Sequence, residues 1–440
     1  MKLIFDVSDK PKAGQLVVFA LQQMLAILAA TIAVPLIIGN GLTPAAAMFG
    51  AGAGTKVYIF FTKRKSPVFL GSSFAFLGSM AAAFAGGVSM QLGMLGLIVG
   101  AFLAGLVYVV IAIVVKFVGV GWLNKLMPAV VIGPTVAIIG LSLAGNAIGD
   151  LVKGDVTKQV TEYAVSTDSG TPEIIETVSN VPVGSSYVAL ICGLITLAVV
   201  MLCSTYGKKT LRLIPFIIGI LAGYAAAAIF TVIGNICDID ALKIVDFSVF
   251  SSYMLTDGSV SLKTFVSLPD FAFVSGLKGL KEFDFSYFAT IFVAYVPVAL
   301  VVFAEHVADH KNLSSIIDHD LLEEPGLTRT LLGDGVGSIA GALFGGCPNT
   351  TYGESVACVA ITGNASVVTI FAAAIGCMLF SFITPLVAFV DSIPACVMGG
   401  VCIALYGFIA VSGLKMIQDA NLDDNRNLFV VSVILIAGIG

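Results

Sequence analysis

The stretch Pro348-Asn349-Thr350-Thr351-Tyr352-Gly353-Glu354-Ser355 stands inside an apolar region and is too polar to serve helix packing alone. A second interruption, Gly71-Ser72-Ser73-Phe74-Ala75-Phe76, falls in the first half of the chain, and each is the third feature of its half. Backbone unwound at membrane depth leaves N–H and C=O groups unpaired, which is tolerated only where protein or a polar ligand covers them. Paired discontinuities in the two halves of an apolar chain therefore point to a binding site between repeats. For the first segment, a Gly/Ser contact between helices is the competing reading.

The surroundings of these segments are apolar throughout. Of 440 residues, 58% are hydrophobic and 11% charged, whereas soluble domains carry about 25% charged residues. Runs such as Gln15 to Gly39, Met94 to Val115, Leu213 to Phe230 and Val367 to Val390 match the roughly 20 residues a helix needs to cross a bilayer. Twelve or thirteen such runs are present. The first is too long for a cleaved signal peptide, lacks a small-residue cleavage site and is followed at once by a second run. The lipid bilayer is the expected solvent. No nucleophile-and-base pairing, phosphate loop or nucleic-acid motif is present, and an enzyme or nucleic-acid binder is not expected.

Internal repetition supports the pairing of the two interruptions. Met127-Pro128-Ala129-Val130-Val131-Ile132-Gly133 and Ile393-Pro394-Ala395-Cys396-Val397-Met398-Gly399 share Pro, Ala, Val and Gly in register. Of the 22 Lys and Arg, fifteen fall in alternate connections, including Lys10, Lys12, Lys63, Arg64, Lys65, Lys116, Lys125, Lys209, Arg212 and Lys311. By the positive-inside rule those connections, and the N-terminus, are cytoplasmic. The polar stretches Gly149 to Ser185 and Cys237 to Asp284 then lie outside; their Thr/Ser/Val composition allows short strands. The eight cysteines have no Cys-x-x-Cys spacing and read as small buried hydrophobes. No metal or other cofactor is expected.

Ionisable groups within apolar runs are costly and mark function. Glu305 ends the run Phe288 to Ala304, and Asp309 follows one helical turn later on the same face. Like charges so placed repel, which favours one shared proton. The alternative is that Asp309 has already reached cytoplasmic water. His306 and His310 are also i, i+4 neighbours, able to relay a proton or merely to sit between helices, and His319 falls in the loop beyond. Gln22 and Gln23 are polar groups in the first run, serving helix contact or ligand contact. The segments together offer carboxylate acceptors, backbone N–H donors and aromatic faces at Phe74 and Tyr406, without a nearby Arg. That set suits a flat, uncharged ring bearing N–H donors and C=O acceptors.

At these residues the chain resembles the nucleobase/ascorbate transporter family, and within it the bacterial uracil permeases, over nearly its whole length. The resemblance rests on Phe69-Leu70-Gly71-Ser72-Ser73-Phe74-Ala75-Phe76, Gly121-Trp122-Leu123, Ala304-Glu305-His306-Val307, Asp320-Leu321-Leu322 with Pro325-Gly326-Leu327, and above all Pro348 to Glu354. It implies an all-α polytopic membrane protein of the 7+7 inverted-repeat transporter fold, with two broken helices containing short strands. It implies a core domain of spans 1–4 (13–120) and 8–11 (285–390), an external loop (237–284), and a gate domain of spans 5–7 (121–236) and 12–13 (391–440).

It further implies uracil import with a proton across the cytoplasmic membrane. Glu305 and Glu354 would bind the ring, the backbone of Phe74 and Gly353 would meet its carbonyl oxygens, and Tyr406 would flank it. Coupling would fall to Glu305, Asp309 and His310. Where the family often has His four residues after the glutamate, this chain has Asp309 and then His310, and the family's Gln-His pair is Gln22-Gln23. The chain ends at Gly440 within the expected span 13, so the last span is expected to be missing from it. A xanthine or uric acid carrier of the same family is the runner-up, an anion exchanger of the related sulfate-transporter fold comes next, and a homodimer is left open.

Overall fold

The computed structural model describes residues 3–119, 128–166, 173–208, 211, 214–252, 259–418 and 420–439. The motif Gly121-Trp122-Leu123, Met127 of the repeat, and Lys2, Lys125, Asp168, Lys209 and Arg212 lie outside the described residues. Among the described residues, seven helices are long and apolar enough to cross a membrane, fewer than the apolar runs; some of the other runs, such as Val367 to Val390, are divided into shorter pieces.

Helix α1 (Ala13–Ile38) is followed by α2 (Pro44–Phe61), which opens with Pro44 in its first turn and the Thr43 hydroxyl accepting the Ala46 N–H at 3.3 Å. Strand β1 (Leu70–Ser72) leads through a 3₁₀ turn at Phe74–Phe76 into α3 (Leu77–Ala83), and α4 (Met90–Val118) follows. Helices α5 (Ala129–Ser142) and α6 (Ala144–Leu151) are nearly continuous. A ten-residue antiparallel pair, β2 (Thr157–Ser166) with β3 (Glu173–Pro182), occupies the first polar stretch. Two long helices, α7 (Ser186–Tyr206) and α8 (Pro215–Cys237), close the first half. The second comprises α9 (Phe285–Ile317), α10 (Leu327–Gly345), β4 (Asn349–Thr351), α11 (Gly353–Thr362), α12 (Val367–Phe380), α13 (Thr384–Asp391), α14 (Ala395–Gln418) and α15 (Asn425–Ile439).

The two interruptions meet. β1 pairs antiparallel with β4, Leu70 opposite Thr351, Gly71 opposite Thr350 and Ser72 opposite Asn349. All six residues are buried. Each unwound segment thus supplies the backbone partners that lipid cannot, which is why two breaks, one per half, are stable where a single one would not be. The repeat also appears at the helix starts. Pro128 precedes α5 and Pro394 precedes α14, and the Val131 and Val397 N–H groups each donate to the respective proline carbonyl at 2.9 Å.

Close helix approach fixes the frame around the strands. A Cβ on Gly54 of α2 would stand 2.6 Å from the Gly337 carbonyl of α10, and one on Gly337 would stand 2.8 Å from that of Gly54. Small residues on both faces allow this contact, the membrane counterpart of core packing. Helices α1–α4 and α9–α12 pack on one another, and α5–α8 pack with α14 and α15.

The run Val367 to Val390, continuous in hydropathy, is two helices. The segment between α8 and α9 is bonded at the bend: Ser267 N–H donates to the Phe382 carbonyl and the Thr384 hydroxyl to that of Lys263, both at 3.0 Å. All eight cysteines are free, six of them buried.

Candidate functional site

The strand pair holds the site together from both sides. Asn349 donates Nδ2–H to the Gly50 carbonyl at 3.1 Å, and the Thr55 hydroxyl accepts the Leu70 N–H at 2.9 Å, so α2 carries both strands. The Tyr352 hydroxyl donates to the Ser72 carbonyl, and Ser355 Oγ accepts both Gln23 Nε2–H and the Phe69 N–H. Gln23 is therefore a tie between α1 and α11. Helix α11 begins at Gly353 without a side-chain cap from its preceding residue, as does the turn at Phe74, so each presents the N–H end of a helical turn at the break.

Between the two helix groups lies a cavity of about 420 Å³ lined, among others, by Phe74, Glu305, Asp309, Thr350, Tyr352, Gly353 and Glu354. Helix α9 does not end after Glu305 but runs on to Ile317, and Glu305 and Asp309 both line this cavity. Gly353 is exposed within it: among the described residues, apart from its own helix backbone and chain neighbours, only Asp309 Oδ1 comes within 4 Å of the position of a Cβ there, at 3.9 Å. Thr351 Oγ1–H donates to Asp309 Oδ2 at 2.8 Å. Three carboxyl groups thus converge, and among the described residues no Lys or Arg lines the cavity. The arrangement accepts hydrogen bonds through carboxylates and donates them through backbone.

Of the residues expected from sequence, Phe74, Glu305, Asp309, Gly353 and Glu354 come together in the cavity wall. Tyr406 is buried behind Phe74, their rings edge-to-face at 5.6 Å, while Leu405, Phe408 and Ile409 line that side. His310 is fully buried away from the cavity, its Nε2 2.6 Å from the Tyr58 hydroxyl. Tyr352 and Thr350 were missed, although both lie in the polar interruption itself. Asp334, fully buried in the middle of α10, does not line the cavity; its Oδ2 lies 2.6 Å from His306 Nδ1.

The cavity extends to Ser204, Pro215, Ile361 and Met416, near one set of helix ends. A second cleft of about 570 Å³ is lined by Ile37, Asn40, Phe84, Ser142 and Asn146, near the opposite ends. Phe74, Ala75 and Ile139 line both and separate them.

A model of the permease family matches residues 14–179 and 169–440. The chain is 36% identical over 443 residues to the uracil permease of Bacillus caldolyticus, across all of this chain and 88% of that protein. It is 33% identical to the uracil permease of Escherichia coli K12, across 98% and 86%. Among solved structures, the transmembrane domain of a cyanobacterial bicarbonate transporter, BicA, superposes with a TM-score of 0.67 at 13% identity, covering 99% of this chain and 98% of that one. The overall structure of SLC26A9 gives 0.60, covering 98% and 63%. At such low identity these two establish the fold alone, the 7+7 inverted-repeat transporter architecture of a multi-pass membrane protein.

Proposed function

The chain belongs to the permease family, and we propose that it imports uracil together with a proton across the cytoplasmic membrane. The observation that carries this reading is the convergence of Glu305, Asp309 and Glu354 at the start of α11 in a cavity whose lining, among the described residues, includes no basic side chain. Uracil presents two ring N–H donors and two carbonyl acceptors, and that set answers it. Glu305 and Glu354 accept from the ring, and the N–H groups at Phe74 and Gly353 donate to its oxygens. Charge-assisted bonds of this kind are the stronger class. The full-length relatives named as uracil permeases support the same substrate. An anion would more often be met by Arg or Lys, which weighs against an exchanger.

In this reading 13–120 and 285–390 form the core domain, and 121–236 with 391–440 form the gate. Core and gate rock about the substrate, which is bound near the midplane between them. With the N-terminus in the cytoplasm, Ser204, Pro215 and Met416 mark the inner end of the cavity, and Phe74 with Ile139 shut the outer path. The test is radiolabelled uracil uptake into proteoliposomes with and without an inward pH gradient, competed by xanthine, thymine and hypoxanthine. Uracil accumulation that follows the gradient supports the reading. Competition by xanthine but not by unlabelled uracil overturns it in favour of a purine carrier.

A further inference from the structure

Each cavity glutamate is followed three residues later by an alanine. Ala308 stands one turn beyond Glu305 on α9 and Ala357 one turn beyond Glu354 on α11, and all four line the cavity. The two helices run side by side in the same direction. Asp309 adjoins Gly353 at the start of α11, and further on Leu313 and Ile317 of α9 pack in one cluster with Val356 and Val359 of α11. Along α11 the residues that meet the cavity grow turn by turn, from Gly353 through Ala357 to Ile361, and all three are exposed within it. Space therefore opens one turn past the carboxyl groups, with Ile361 as its far bound.

Uracil is polar around most of its rim. N1–H, the C2 carbonyl, N3–H and the C4 carbonyl follow one another, and only the C5–C6 edge carries neither donor nor acceptor. When Glu305 and Glu354 take the N–H groups and the helix starts take the oxygens, that edge is turned away from all of them. Phe74 and Ile139 close the outer side of the cavity, so the remaining room lies along α9 and α11, at the two alanines. The facing wall there is apolar, with Val136 of α5 and Leu405 and Ile409 of α14. A single ring does not fill a cavity of about 420 Å³, and the apolar surface around the unfilled part is surface that an alkyl group can cover.

We propose that Ala308 and Ala357 set the substrate range of this cavity, and that it takes uracils bearing an alkyl group on the C5–C6 edge. The proposal rests on the uracil reading above. The carboxyl groups read the polar rim, which uracil and its alkyl derivatives share, so they do not tell these ligands apart. Discrimination falls to the apolar turn beyond them. One methylene too many for a pocket costs about 10- to 200-fold in selectivity. A leucine in place of either alanine puts a branched chain into that space and, as a strong helix former, keeps the helix that carries it.

The probes are uracil, 5-propyluracil and 6-propyluracil, titrated calorimetrically against the purified full chain. At least one propyl isomer binds the wild type within about tenfold of uracil, the penalty of a clashing methylene being absent, and the isomer that does so identifies the ring position facing the alanines. In Ala357→Leu and in Ala308→Leu the affinity for that isomer relative to uracil falls by about 10- to 200-fold. Ala357→Val and Ala308→Val, the smaller additions, move the ratio the same way and stand in where leucine prevents folding. A wild type that binds uracil and rejects both isomers overturns the proposal. An unchanged ratio at either position also overturns it, as does proportional loss of uracil and the propyl isomer, which would mark the alanines as a plain wall of the uracil site. A wild type that binds neither uracil nor its derivatives overturns the substrate reading itself, a result distinct from these.

Discussion

Thr351 Oγ1–H donates to Asp309 Oδ2 at 2.8 Å, so the last residue of β4 holds the second carboxyl of α9 against the broken helix that starts two residues later. Asp309 is thereby placed beside Gly353 yet engaged by protein rather than left wholly to a ligand. Asp309→Asn preserves an acceptor for Thr351 and removes the titratable group. Uracil binding and counterflow are expected to persist, while stimulation by an inward pH gradient disappears. Gradient-driven accumulation equal to wild type would move coupling away from Asp309.

Glu305 and Glu354 both line the cavity, with no basic side chain among the described residues of its wall. Replacing either by Ala removes a charge-assisted acceptor, costing about 1.5–3 kcal/mol, or tenfold and more in affinity. Isothermal titration of folded, purified variants should find no measurable uracil binding. Wild-type affinity in either variant refutes the assignment of that residue.

Orientation is testable at exposed positions. Ser66, in a basic loop, is fully buried and a poor labelling site; its exposed neighbour Arg64 is the better one. A cysteine at Arg64 should react with an impermeant maleimide from the cytoplasmic side only, and one at exposed Lys278 from the outside only. The opposite pattern inverts the topology.

Gly54→Ala places a methyl group 2.6 Å from both the Gly337 carbonyl oxygen and Asn349 Nδ2, parting α2 from α10 and disturbing β4. Overpacking of this kind costs about 1–3 kcal/mol. The melting temperature in detergent should fall clearly, whereas Gly78→Ala in α3, where a Cβ meets nothing within 4 Å, should not lower it.

Asp155, in the connection after α6, accepts the Ala395 N–H at the start of α14 at 3.1 Å. Burial, with Asp246 and Asp150 nearby, raises its pKa from 3.8 to about 6. The folded state therefore holds this proton more tightly than the unfolded chain does. The stabilisation is fully present below the ordinary value of 3.8 and is lost as pH rises through about 6. Thermal unfolding of Asp155→Asn should accordingly show a shallower fall in stability than wild type across that window. An unchanged slope removes Asp155 as the source.

The sequence by itself determined the solvent, the two broken segments and the carboxyl pair on α9. Each is written in a few neighbouring residues: a long apolar run, a polar interruption such as Asn349-Thr350-Thr351, or the spacing of Glu305 and Asp309. Helical and extended geometry turn such local patterns into faces without help from elsewhere. Tertiary structure decided which side of each element meets the cavity, because that depends on partners far apart in the chain, as Gln23 and Ser355 are. It turned His310 toward Tyr58 and set Tyr406 behind Phe74, although both had been legible only as polar or aromatic groups in apolar runs. It also bent the run after Val367, where hydropathy is continuous: Pro385 opens the second helix, and the segment between α8 and α9 bonds the break at Phe382 and through Thr384.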